Sequence, residues 1–539
     1  MSDSASVPKL LAAAVTAALV IASACASSSG NGAGAPKAGG SITLRLTADW
    51  DTLDPALTKS TIGYQMAVMA YDRVVALDKD GKVVPELAKS WTQTVDSVTL
   101  TLRSDVSCSD GTKLTATDVA DSLKRFGAPA TKAPYAYRTF GTGGYSSITA
   151  DDSAGTVTIK VAQPYSDMLI GLAMPWASIV CPAGLKDTSQ LQDKQFGTGP
   201  FTMTNLVRGD TYTFTARKDY AWGEAGATTQ AAGYPGTVTY KVIANDSTAA
   251  NLILTGGLDV ASITGPDLPR VQADRSLKQT VGVPYGTNFL LVNELSGRVG
   301  ADAQVRKAIF QAIDSASWGK AAAANQAVVA TSFITPVVPC FDANTKNVVP
   351  AFDLSAAKST LQADGWTGGS DGKFSKGGQQ LTLNLAASAQ GDDSSAEYML
   401  SALQQLGANV KLNNVDFVTY TGILFGTTTP WDVAVLPFGP PIPTPYAVNG
   451  FVSGATPAQK GTNAAYISNA TYVSEAAAGL ASTGSERCTH WASAQEALLK
   501  SYDIKPLAYA DIHYFAKNVQ FRVIGGGAVI DVSTFKKTA

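Results

Sequence analysis

Apolar residues recur along this chain with two periods. Val98, Leu100 and Leu102 alternate with Thr99, Thr101 and Arg103, and Val157, Ile159 and Val161 repeat the alternation after the turn-forming run Asp151-Asp152-Ser153-Ala154-Gly155. Each pattern predicts a strand with one buried face. Ile42, Leu44 and Leu46 predict an earlier strand, Leu381, Leu383 and Leu385 a later one, Val410 and Leu412 another, and the apolar runs 288–293 and 431–436 two short buried strands. The second period is helical. Val119, Leu123 and Phe126 share a stripe behind Thr115 and Asp118, which are spaced as a capping box. Val305, Ala308, Ile309, Ala312 and Ile313 follow Asp302, a residue able to cap the helix they predict. Residues 397–406 and 485–500 are also amphipathic helices, 61–76 reads as helical, and 168–174 as an apolar helix stopped by Pro175. Strands and helices thus alternate, the mark of an α/β protein.

The order strand 381–385, helix 397–406, strand 410–412 favours a right-handed crossover and parallel pairing. In open α/β sheets ligands sit outside the carboxyl ends of strands, and the strand 431–436 runs directly into Pro437-Phe438-Gly439-Pro440-Pro441-Ile442-Pro443-Thr444-Pro445-Tyr446. Its prolines set the backbone before any ligand arrives, which makes this segment a candidate wall of a binding site.

Composition narrows the chemistry. A chain of 539 residues is too long for one core. A net charge of -2 gives no reason to expect nucleic acid as a partner, because phosphate binding needs clustered excess Lys and Arg. Two histidines, His490 and His513, with no CxxC spacing and no G-x-S-x-G elbow, argue against a zinc site, a cofactor and a hydrolase. In Phe196-Gly197-Thr198-Gly199-Pro200-Phe201 the glycines let backbone approach its neighbours closely; no Lys-Ser/Thr follows, so this is not a phosphate loop. At the amino terminus, residues 10–24 form an apolar run too short to span a bilayer but fit for a signal-peptide core. It ends in Ala22-Ser23-Ala24-Cys25, which resembles a bacterial lipobox with Cys25 as the lipidated residue; residues 25–40 then read as a flexible tether.

Pro85-Glu86-Leu87-Ala88-Lys89-Ser90-Trp91, followed by Ser109-Asp110-Gly111-Thr112-Lys113-Leu114-Thr115-Ala116-Thr117-Asp118-Val119, resembles the signature of the extracellular solute-binding proteins, family 5, of peptide and nickel ABC importers. Leu53-Asp54-Pro55, the Phe196–Phe201 segment and Val305-Arg306-Lys307-Ala308 resemble further family wording. The resemblance implies a periplasmic-binding-protein-like type II fold (cluster C) with two main lobes joined by a hinge and an extra inserted subdomain. Lobe I would comprise 41–58, 195–286 and 500–539, the inserted lobe II 59–194, and lobe III 287–499. It also implies a monomeric receptor, anchored to the outer face of the cell membrane through Cys25, that captures a peptide or small polar solute and delivers it to an ABC permease. A sensor or biosynthetic accessory protein on the same fold is the alternative, and an enzyme a third. Nickel is disfavoured by the scarcity of His.

By the same resemblance the ligand-binding candidates are Trp50, Asp51, Asn288, Phe438, Gly439, Pro440, Tyr446 and Tyr514. Trp50 packing beneath its own loop and Asp51 bonding a backbone amide in a turn are the competing assignments. Peptide-binding relatives carry Trp-x-x-Asp in the proline-rich segment, its Asp pairing with the ligand's α-ammonium; here Phe438 and Pro441 stand at those positions. An ammonium buried without a carboxylate costs several kcal/mol, so either another carboxylate, with Asp51 the candidate, takes over that anchor or the ligand lacks a free amine. Four cysteines follow Cys25 and allow three pairings. Cys108 with Cys181 and Cys340 with Cys488 is preferred, because each pair then falls inside one proposed lobe.

Overall fold

The computed structural model describes residues 38–323, 325–389 and 394–538. The signal sequence and Cys25 expected above lie outside the described residues.

Alternation became strands wherever only one face is covered. Ser97–Leu102 buries Val98, Leu100 and Leu102 and leaves the threonine face half-buried, and it sits in a four-stranded sheet ordered Ala88–Gln93, Ser97–Leu102, Thr156–Val161, Tyr145–Asp151. Thr115 and Asp118 form the reciprocal capping box of helix Ala116–Gly127, satisfying two amides the first turn leaves free. The expected helix 61–76 stops early. Thr61–Ala70 is helical, and Val75–Leu77 is a strand paired with Val83–Pro85. Nearly every residue from Gly63 to Leu77 is buried, so there is no polar face from which a change of period could be read.

Two larger sheets organise the rest. One is seven-stranded, ordered Lys278–Gly282, Ile512–Ala516, Val260–Ile263, Ser41–Leu46, Thr237–Val242, Thr211–Ala216, Phe201–Val207. The other is six-stranded, ordered Ala327–Val329, Ile504–Ala510, Asn288–Val292, Val433–Leu436, Thr382–Ser388, Asn409–Val415. Within it Thr382–Ser388 runs parallel to both Asn409–Val415 and Val433–Leu436, with helices Ser394–Leu406 and Phe417–Leu424 in the connections. The chain therefore passes from the first sheet to the second after Gly282 and returns at Asp511, between Ile504–Ala510 and Ile512–Ala516.

Close approach explains the glycine pair. A Cβ on Gly197 would lie 2.2 Å from the Ala70 carbonyl oxygen, and one on Gly199 2.4 Å from the Ala70 carbonyl carbon, so only glycine lets this segment lie against the end of helix Thr61–Ala70. Beneath it the buried Asp72 carboxylate accepts hydrogen bonds from Thr198 Oγ1 (2.9 Å), Tyr220 Oη (3.1 Å) and Trp222 Nε1 (3.0 Å). Glu86 of the Pro-Glu-Leu-Ala run is buried too, and meets Arg73 at 2.6 Å. Both expected disulfides form, Cys108–Cys181 and Cys340–Cys488. With sequence separations of 73 and 148, each stabilises by roughly 4–5 kcal/mol in the chain-entropy account.

Candidate ligand-binding site

The loop after strand Ser41–Leu46 is held by its own side chains. Trp50 is buried, packed on Tyr212 (ring centroids 4.1 Å apart) and under the Arg208 guanidinium at 4.4 Å. Asp51 accepts from Thr58 Oγ1 (2.6 Å), the Lys59 amide (2.7 Å) and Ser60 Oγ (2.8 Å). Burial works to raise the Asp51 pKa, but these donors outweigh it and hold the carboxyl below the usual carboxylate range. Asp51 thus bonds a backbone amide in a turn, while Trp50 packs on the 208–212 turn rather than beneath its own loop. Asp54, of the Leu-Asp-Pro run, is buried and paired with Arg125 of helix Ala116–Gly127.

The proline-rich segment is buried rather than displayed. Phe438 packs between Phe289 (5.7 Å) and Phe451 (5.8 Å). Gly439 is exposed and Pro440 buried, and the crossing segment presses on them: a Cβ on Gly286 would lie 2.3 Å from the Phe438 carbonyl oxygen and 2.5 Å from Pro440 Cδ. At the far end, Thr444 donates its hydroxyl to Asp167, whose other oxygen pairs with Arg487 at 2.5 Å; Asp167 is fully buried. The Tyr446 ring meets Tyr165 edge-on at 5.8 Å. This clasp joins residues 165–167, adjoining the four-stranded sheet, to the segment that leaves the six-stranded one.

Between Asp51 and Tyr446 lies a group of aromatic residues that sequence reasoning missed. Tyr64 faces Trp176 (5.8 Å) and Tyr135 (6.2 Å), and Tyr135 stacks on Trp176 at 5.0 Å. Arg138 lies over the Tyr135 and Tyr137 rings, 5.5 Å from each, and its Nε donates to Tyr137 Oη at 2.8 Å. Its Nη1 is buried with no hydrogen-bond partner. Burial first, then the neighbouring Tyr135, raise the Tyr64 pKa; the Arg138 charge opposes this and the Asp51 charge adds to it. Burial and Tyr137 raise that of Tyr446, while a bond to Thr142 and the Arg138 charge pull it down. Those couplings set Asp51, Tyr64, Tyr135, Arg138 and Tyr446 in one neighbourhood. The sequence signal was Tyr135-Ala136-Tyr137-Arg138, a base directly after alternating aromatics.

Asn288 is elsewhere. It lines a cavity of about 200 Å³ with Trp318, Leu385, Phe417, Tyr420 and Pro437, at the carboxyl ends of Thr382–Ser388 and Val433–Leu436. Tyr514 is not brought to either place; it is buried within the seven-stranded sheet and edge-on to Phe521 at 5.9 Å. A larger cavity of about 410 Å³ lies among Arg73, Asp78, Tyr285, Val337, Arg522 and Asp531. Its buried charges are committed to one another, Arg73 to Glu86 and Arg522 to Glu224 and Asp531. Among the described residues there is no group of three or more His, Cys, Asp or Glu able to hold a metal, and no helix long and apolar enough to cross a membrane.

The family model described as bacterial extracellular solute-binding proteins, family 5 middle, matches residues 82–459. The chain belongs to this family. Its fold is accordingly the two-lobed periplasmic-binding-protein-like one, and its relatives are binding proteins rather than enzymes. This family 5 protein is 30% identical to a substrate-binding protein from Microbacterium hydrocarbonoxydans complexed with 4-hydroxybenzoate hydrazide, with a TM-score of 0.72 over 92% of this chain and 100% of that one. It is 27% identical over 360 residues to the nickel-binding periplasmic protein of Escherichia coli strain K12, covering 64% of this chain and 65% of the relative. Against Protein XP55 of Streptomyces lividans it is 26% identical over 399 residues, 70% of this chain and 67% of the relative. The alignments with curated relatives thus span about two thirds of their length.

Proposed function

We propose that this family 5 protein is the solute receptor of an ABC importer, monomeric and held at the outer face of the cell membrane by a lipid on Cys25. It closes two lobes, built on the seven- and six-stranded sheets, around a small acyl solute or a peptide without a free amino terminus, and presents it to the permease. The crossings near 283–287 and at 511 act as the hinge. Ligand contacts made only in the closed state supply the bias toward closure, because a ligand equally bound in both states would signal nothing.

The observation that carries this reading is the proline-rich segment 437–446, tied at one end to the crossing segment through Gly286 and at the other to the inserted region through Asp167. The resemblance to peptide-binding relatives puts Pro441 in the place of their amine-pairing carboxylate, which on this reading removes the anchor for free-amino peptides. The hydrazide complexed by the Microbacterium hydrocarbonoxydans relative, an aromatic acyl compound, extends to this chain as the type of solute favoured by a tyrosine-lined neighbourhood.

The test is a thermal-shift and solution-scattering screen with 4-hydroxybenzoate hydrazide, N-acetylated and free peptides, and metal chelates. Ligand at about 100 times its Kd stabilises the native state by about 2.7 kcal/mol. Compaction on binding and unchanged ligand after heat release are expected. No shift and no compaction with any of them, together with no co-purified mass in native mass spectrometry, would refute the receptor reading.

A further inference from the structure

Six arginines are buried among the described residues: Arg45, Arg73, Arg138, Arg217, Arg306 and Arg487. Five of them meet a carboxylate within 4 Å, namely Asp246, Glu86, Asp219, Glu294 with Asp503, and Asp167 respectively. Arg138, 7% exposed, meets none. Removing a guanidinium from water without an opposite charge is costly, and proteins rarely tolerate it unless another group completes the pair. The two ring faces at 5.5 Å and the Nε–H donated to Tyr137 Oη offset part of that cost, but Nη1 remains without an acceptor.

The surroundings tell against a missing protein partner. Asp51 is taken up by Thr58, Lys59 and Ser60, and Asp167 by Arg487 and Thr444. What faces the Arg138 guanidinium is neutral and aromatic, Tyr135 and Tyr137 directly with Tyr64 and Tyr446 close by, while Tyr165 donates its hydroxyl to the Arg138 backbone carbonyl. A planar oxyanion attached to a flat apolar body matches both halves of this arrangement, the guanidinium fork taking the oxygens and the rings taking the body.

We infer that Arg138 is a ligand-binding residue, and that the solute captured here carries a carboxylate that this guanidinium receives, beside an aromatic or acyl body held by Tyr64, Tyr135, Tyr137 and Tyr446. This rests on the receptor reading and narrows it to acidic solutes. The absence of an acid at position 441 and the presence of an unpaired base at 138 invert the polarity expected of a receptor that holds its ligand by an amine.

Matched probes test it: 4-hydroxybenzoate against 4-hydroxybenzamide, and N-acetyl-tyrosine against its amide, measured by titration calorimetry on the wild type, Arg138→Gln and Arg138→Lys. At least one carboxylate of these pairs is expected to bind wild type about 10- to 100-fold tighter than its amide, the range for a charge-assisted pair. Arg138→Gln should abolish that preference, and Arg138→Lys should keep the charge but lose the fork, retaining only part of it. A second measurement guards against misfolding. Because the unliganded protein bears an uncompensated charge, Arg138→Gln should melt no lower than wild type without ligand. A lower melting temperature would assign Arg138 a structural role and overturn the inference. So would equal affinity for acid and amide, or no binding of either carboxylate. If the amides or the hydrazide bind while the acids gain nothing, the receptor reading stands and only the acidic-solute inference falls.

Discussion

Replacing Asp167 by alanine removes the acid from the clasp between residues 165–167 and the segment that leaves the six-stranded sheet. Asp167 is fully buried, and its partners are Arg487 at 2.5 Å and the Thr444 hydroxyl. The substitution leaves the Arg487 charge buried with only Cys340 Sγ, 3.0 Å away, as a weak acceptor. Breaking a buried pair in this way costs about 3–5 kcal/mol, most of it the stranded charge rather than the lost attraction. At about 2 cal/mol/K per residue over about 500 residues, the unfolding entropy is about 1 kcal/mol/K, so the melting temperature should fall by about 3–5 °C. Circular dichroism melts of the oxidised protein at neutral pH measure it. Asp167→Leu combined with Arg487→Met removes both charges and should return stability to within about 1 kcal/mol of wild type or exceed it. Salt should change none of these values much, because the pair is shielded from the ion atmosphere. A loss below about 1 kcal/mol for Asp167→Ala, or a double variant as unstable as the single one, would refute the stranded-charge argument.

Three further outcomes are expected. Burial and the Asp503 carboxylate raise the Glu294 pKa from 4.5 to about 8, so its stabilising contribution is full below about 4.5 and lost as pH rises through about 8; Glu294→Gln should therefore gain melting temperature relative to wild type as pH climbs from 6 to 9, and parallel curves would disprove it. Gly199→Ala brings a Cβ to 2.4 and 2.5 Å from the Ala70 and Tyr71 backbone and should cost about 1–3 kcal/mol in thermal melts, whereas Gly439→Ala, which meets nothing within 4 Å, should stay within about 0.5 kcal/mol. Pro441→Asp should favour a free-amino tripeptide over its N-acetyl form by about tenfold in calorimetry, the scale of one charge-assisted hydrogen bond; no change would place position 441 away from the ligand.

What could be read from the chain was whatever depends on a half-covered surface. The strands Ser97–Leu102 and Thr156–Val161 declare themselves because solvent meets one face. The Thr115 and Asp118 cap is local chemistry, decided within four residues. Where burial is complete, as from Gly63 to Leu77, the pattern vanishes and the apolar run predicts a longer helix than Thr61–Ala70. The site was less legible for a related reason. Trp50 is engaged by Arg208 and Tyr212, distant in the chain, and Asp51 by Thr58 of its own loop, contacts that no local pattern announces. Arg138 stands out only by lacking what every other buried arginine has, and an absent neighbour leaves no trace in sequence.

Strand Val260–Ile263 lies between Ser41–Leu46 near one end of the chain and Ile512–Ala516 near the other, and Gln65 binds both the amide and the carbonyl of Ile530. Such distant pairings close slowly, since a long stretch of polypeptide must be immobilised before they form. Completion of the seven-stranded sheet is therefore a late event in folding. A product cut short before residue 512 would bare the rim of Val260–Ile263 and offer it to other molecules. The seven-stranded sheet consequently cannot be completed until Ile512–Ala516 is available to pair with Val260–Ile263.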